Sequence, residues 1–133
     1  MDGFLFTNTA YVDDGDSVIV RIPANLEQVE DLFIVFEQQL GLPEYFGKNW
    51  DALSDSLRDL SWVSKHTVVL IHRGRTFIDD ALWIVYLDVL RECIENWEKD
   101  EEHSIVAVFP ESCRDEVGRL TRVEKRAASG GSG

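Results

Sequence analysis

Asp51 and Asp55, two aspartates four residues apart, are the residues of this 133-residue chain whose type and spacing first suggest chemistry. They lie in the segment GLPEYFGKNWDALSDSLRDLSW. At roughly 100° per residue, Trp50, Leu53, Leu57 and Leu60 fall on one side of a helix and Asp51, Ser54, Asp55 and Arg58 on the other. Two carboxylates at this spacing repel each other by about 0.2 to 0.5 kcal/mol on an isolated helix, and Asp is a mediocre residue for a helix interior. Asp51 gains from the positive end of the helix dipole, whereas Asp55 lies too far along to benefit. Local stability therefore does not account for the pair. The plain alternative is a solvated face on which Arg58 makes an ordinary surface ion pair with Asp55 or Asp51.

Either aspartate with Glu92, or the two together, could share acid and base work. That would require a cleft, a perturbed pKa and a substrate-positioning group. The sequence holds no GxSxG elbow, no phosphate-cradling glycine loop and no HExxH to support it. The cysteines Cys93 and Cys113 and the histidines His66, His72 and His103 follow no metal-ligand spacing, so neither a metal nor another cofactor is expected, and both thiols are read as free.

The formal net charge is −12. This argues against direct nucleic-acid binding, which draws its affinity from Lys and Arg displacing condensed counterions. A basic protein partner fits better, although acidity also serves plain solubility. No apolar run approaches the roughly 20 residues of a membrane span, and the opening MDGFLFTNTAYVDDGD lacks a basic n-region, so a soluble cytoplasmic protein is expected.

The elements that must position these residues read as alternating strands and helices. After a short apolar start at Phe4 to Phe6, the SVIVRI stretch predicts a strand ending before Pro23. Asn25 is a candidate N-cap for a helix from about Leu26 to Leu40, stopped by Gly41 and Pro43. A second helix is predicted from about Asn49 to Leu60, and Val68 to Ile71 read as a strand buried on both faces. Asp79 or Asp80 can cap a long helix carrying Trp83, Leu87, Leu90, Ile94 and Trp97, and Ser104 to Phe109 read as a last strand closed by Pro110. Strands separated by helices imply crossovers and an α/β class with a parallel sheet. Residues 1–110 are taken as the domain, 111–128 as a charged extension with Val117, Leu120 and Val123 at amphipathic spacing, and 129–133, SGGSG, as an appended linker.

LPEYFGKNWDALSDSL closely resembles the LPEYYGxNxDALxDxL signature of the barstar-like family, intracellular inhibitors of a secreted guanyl-specific ribonuclease. The Pro-Glu-Tyr-aromatic-Gly entry, the Asn, the DAL triplet and the second Asp all recur at fixed spacing. The β-α-α-β-α-β order agrees over about Ser17 to Phe109. The resemblance implies a two-layer α/β domain whose three-stranded parallel sheet is covered by helices. It implies, too, an inhibitor, monomeric in a 1:1 complex, that occludes a ribonuclease site. By motif position Tyr45 and Asp51 would lie at the rim, and Asp55 would enter the active site in place of a substrate phosphate. Glu92, placed through VLREC, would be a further acidic contact. The chain departs from the signature at Ser54, where the family has an aromatic, and at Arg58 and Asp59, where it has a small hydroxyl residue and a Gly. Under the same placement Asn96 replaces an acid. These departures leave open a basic ribonuclease or another bacterial toxin as partner, the latter through an immunity protein of the same fold.

Overall fold

The computed structural model describes residues 3–11, 14–42 and 49–120. Tyr45, Val123 and the SGGSG segment lie outside the described residues. Four strands, β1 (Phe4–Phe6), β2 (Ser17–Ile22), β3 (Thr67–His72) and β4 (Ser104–Phe109), form one sheet in the order β1-β4-β3-β2. All three pairings are parallel. The helices are α1 (Val29–Leu40), α2 (Trp50–Asp59) and α3 (Asp80–Asp100).

The sheet has four strands where three were expected. Phe4–Phe6 is too short to announce itself by alternation, and what makes it a strand is tertiary. Phe4 and Phe6 bracket Phe109 of β4, at ring-centroid distances of 5.4 and 5.6 Å, while Ala107 N–H donates to Gly3 and Thr7 N–H to Phe109.

One face of the sheet builds the core. Val20, Ile22, Val68, Leu70, Ile105, Ala107 and Phe109 alternate along their strands and join Leu32, Phe33, Phe36, Trp83, Leu87 and Leu90 of the helices in one buried cluster. α1 packs on β2 and α3 on β4, whereas α2 packs on α3. This places α2 where one of its sides can remain in solvent.

The boundaries show where local signals held and where they failed. Asn49 caps α2, its side chain accepting from Ala52 N–H at 2.8 Å, and Asp79 caps α3 by accepting from Leu82 N–H at 3.1 Å. Asn25 is not the cap of α1. It sits in the left-handed region at φ 61, and its N–H donates to Arg75. Leu26 then pairs with Phe77 as an isolated parallel bridge, so α1 starts only at Val29. Asn tolerates that conformation well, and the turn it makes ties the chain to the 75–78 loop instead of opening a helix.

Beyond Pro110 a short 3-10 turn, Glu111–Cys113, leads into helical residues 114–120. Cys113, Val117 and Leu120 are buried in the main cluster.

Candidate functional site

α2 is the element that sorts its own residues. Leu53, Leu57 and Leu60 are completely buried. Trp50 is half-buried against Phe33, Phe77 and Tyr86, with centroids 5.4, 6.1 and 6.3 Å away, which links α1, the loop before α3 and α3 itself. Burial of such side chains contributes about 1.5 to 3 kcal/mol each relative to exposure, enough to fix which side of α2 faces inward. Leu60 ends the helix in the left-handed conformation at φ 49, its N–H bonded to Ser56. A non-glycine residue accepts that backbone here because its side chain fills the core.

The outward side carries Asp51, Asp55, Arg58 and Asp59, all exposed. The Asp55 side chain is 74% exposed and accepts from Arg58 Nη2 at 2.8 Å. Arg58 Nε also donates to the Ser54 carbonyl at 3.3 Å. Asp59 accepts from the Ser61 hydroxyl at 3.0 Å.

Ser54 faces the seam between α2 and α3. Its Oγ lies 3.9 Å from Cys93 Sγ, and that thiol also reaches the Ser54 carbonyl at 3.7 Å. Burial pushes the Cys93 thiol up to about 11, against the opposing influence of the Ser54 contact and of Arg58, while Glu92 and Asp55 reinforce the rise. The thiol is therefore protonated near neutral pH. Glu92 is exposed on α3, next to Cys93 in the chain.

Two indoles lock the frame. Trp97 Nε1–H donates to the Leu57 carbonyl at 2.7 Å, tying α3 to α2 one turn beyond Cys93. Trp62 Nε1–H donates to the Leu40 carbonyl at 2.9 Å, satisfying a free carbonyl at the end of α1.

Six of the seven expected contact residues are thus described. Asp51, Asp55, Arg58 and Asp59 share the outer side of α2, Ser54 lies at its seam with α3, and Glu92 is exposed on α3 beside Cys93. Tyr45 falls outside the described residues. A separate cavity of about 310 Å³ at the carboxyl end of the sheet, lined among others by Thr7, Asn8, Arg21, His72 and Pro110, includes none of them. Among the described residues no cluster of His, Cys, Asp or Glu could hold a metal ion, and no helix is long and apolar enough to cross a membrane.

The positioning roles of Cys93 and Trp97 could not be read from the sequence. Both fall on the apolar stripe of a long helix, and nothing local says that this stripe meets α2 rather than the sheet.

The family model described as Barstar (barnase inhibitor) matches residues 19–109, more than half of the chain. The chain belongs to the barstar family. No curated protein matches it. The barstar match runs from β2 through β4 and takes in the whole of α2 and α3, so it contains every one of the outward-facing residues above. Barstar domains are inhibitors rather than enzymes, and this chain is accordingly a barnase-inhibitor-like protein. The paired carboxylates on α2 are therefore not a catalytic dyad.

Proposed function

We propose that this protein blocks the active site of a basic ribonuclease with the acidic outer side of α2. Asp55 is the anchor. A site that holds a phosphodiester must present cationic donors, and a carboxylate accepting charge-assisted hydrogen bonds from them can stand in for a phosphate. The observation that carries this reading is the position of Asp55, which projects 74% exposed from a helix whose opposite side buries Leu53 and Leu57 completely. Tyr45 and Asp51 would form the rim, Ser54, Arg58 and Asp59 the surrounding contact, and Glu92 a second acid from α3.

The mechanism is occlusion. RNA is excluded because its phosphate position is filled, and the −12 charge of the chain speeds encounter with a basic enzyme, an effect that weakens as salt rises. The same charge disfavours direct binding to nucleic acid. A soluble 1:1 complex in the cytoplasm is the setting this reading assigns.

The test is affinity. Asp55→Ala is expected to weaken the complex with a target ribonuclease by about 2 to 5 kcal/mol, the scale for removing one side of a buried interfacial charge pair. Isothermal calorimetry against a panel of basic ribonucleases checks it, and an unchanged affinity would remove Asp55 as the anchor.

A second reading, an immunity protein of the same fold directed at a different toxin, is favoured by one feature. Asp55 already has a partner in Arg58, at a position where the family signature carries a small hydroxyl residue.

A further inference from the structure

Arg58 is the one cation on α2, set among Asp51, Asp55 and Asp59. Its guanidinium folds back along the helix and forks between two acceptors, the Asp55 carboxylate at 2.8 Å and the Ser54 carbonyl at 3.3 Å. Two acceptors hold the planar fork in a defined place, which a flexible ammonium would achieve less well. Both partners remain largely in water, with side chains 47% and 74% exposed, so the pair itself adds little to stability. Its consequence lies in what the surface presents. At the anchor position an incoming protein meets a neutral couple rather than a bare carboxylate.

Across the seam on α3, Cys93 faces Ser54 with a protonated thiol that adds no charge of its own, and exposed Glu92 is its neighbour in the chain. Arg58 is thus held by one acid and one carbonyl of its own helix. A guanidinium has five N–H donors, and the two bonds seen leave outward-pointing capacity unused.

We infer that Arg58 is the specificity-determining residue of this surface: by engaging Asp55 it disfavours a cleft lined only with cations and selects one that sets a carboxylate against Arg58 beside a cation for Asp55. The inference rests on the inhibitor reading of the previous section. Docking into an all-cationic cleft has two routes, and both lose energy. If the pair breaks, Arg58 is desolvated among like charges; if it persists, the cleft receives a couple without net charge where it could have held an anion. A partner carboxylate within reach of the free guanidinium donors removes the penalty and converts a pair into a network.

Barnase, named in the family's description, serves as the probe, since a site that holds an RNA phosphodiester must present cationic donors. Calorimetric titration of the full chain would compare the wild type with Arg58→Gln, Arg58→Lys and Asp55→Ala at low and moderate salt, circular dichroism confirming that each variant is folded. Arg58→Gln keeps length and polarity but removes the charge, and it is expected to bind about tenfold tighter, as relief of a like-charge juxtaposition allows. Arg58→Lys keeps the charge, though not the planar fork, and is expected to show no comparable gain. A complex detectable with Arg58→Gln but not with the wild type is the strongest form of the expected result.

No gain in Arg58→Gln, including the case in which neither protein binds, overturns the inference. An equal gain in Arg58→Lys overturns it too, because charge would not be the cause. Asp55→Ala separates the two levels of the argument. If it weakens binding while Arg58→Gln fails to tighten it, the Arg58 inference fails alone; if it leaves the wild-type affinity unchanged, the anchor itself fails.

Discussion

The outer side of α2 and the buried end of β3 both concentrate polar chemistry, and they treat it in opposite ways. On α2 the charges face water, and the Asp55–Arg58 pair among them stays largely exposed. At the end of β3, His72 is sealed among aromatics, stacked on Phe109 at a centroid distance of 4.2 Å. Its Nδ1 lies 3.0 Å from the Val108 carbonyl, and its Nε2 lies 2.6 Å from the Tyr86 hydroxyl. A carbonyl can only accept, so Nδ1 carries the proton, and Nε2 of the neutral ring accepts from the Tyr86 O–H. Burial drives the His72 pKa down to about 4, outweighing the bonds to Val108 and Leu70 that would raise it, and pushes the Tyr86 hydroxyl well above its ordinary value. Inside the protein every polar atom of this pair has a partner, and the pair serves the fold. The acids of α2 add nothing comparable to stability, which is why a binding role is the economical reading of them.

That contrast can be broken by experiment. The largest effect is expected on the inward side of α2: Leu53→Ala should cost about 2 to 5 kcal/mol of unfolding free energy in urea, through lost burial and a cavity. A small loss would mean that the helix is rotated from the orientation described. Next is acid sensitivity. The folded pKa of His72 lies below the ordinary 6.5, so the unfolded chain takes up this proton first as pH falls. Stability from His72 is complete above pH 6.5, falls between about 6.5 and 4, and levels off below, a total of about 3 kcal/mol at 1.36 kcal/mol per unit. Urea unfolding at pH 7.5 and 4.5 should show this component in the wild type and its loss in His72→Gln. If both proteins share the same pH slope over this window, the buried neutral histidine is wrong.

Tyr86→Phe removes the donor to His72 Nε2 and should cost about 1 to 3 kcal/mol, the scale for orphaning a buried polar atom. The smallest effect belongs to the outer side of α2. Asp55→Ala should shift unfolding by no more than about 1 kcal/mol, since it removes only an exposed ion pair. A loss as large as that of Leu53→Ala would erase the distinction between the two sides.

Much of this arrangement was legible beforehand. The helical periodicity of Trp50, Leu53, Leu57 and Leu60 fixed the inward side of α2, and Asp79, one of the two caps offered for α3, is its cap because N-capping is a local hydrogen bond, whereas Asn49, expected as the first residue of α2, caps it instead. The outer parallel strand at Phe4–Phe6 was not legible, because three residues carry no periodicity and their pairing depends on Phe109, more than a hundred positions away. Asn25 misled for a related reason: the same side chain that caps helices also tolerates the left-handed turn, and contacts with Arg75 and Phe77 decided between the two.

The sequence by itself determined which residues of α2 face water and which face the core, because side-chain polarity at a 3.6-residue period is a local property. Only the tertiary structure decided that α2 lies on α3 and that Cys93 and Trp97 hold the seam. Those relations depend on burial and hydrogen bonding between segments about 40 residues apart, and no window along the chain contains both partners.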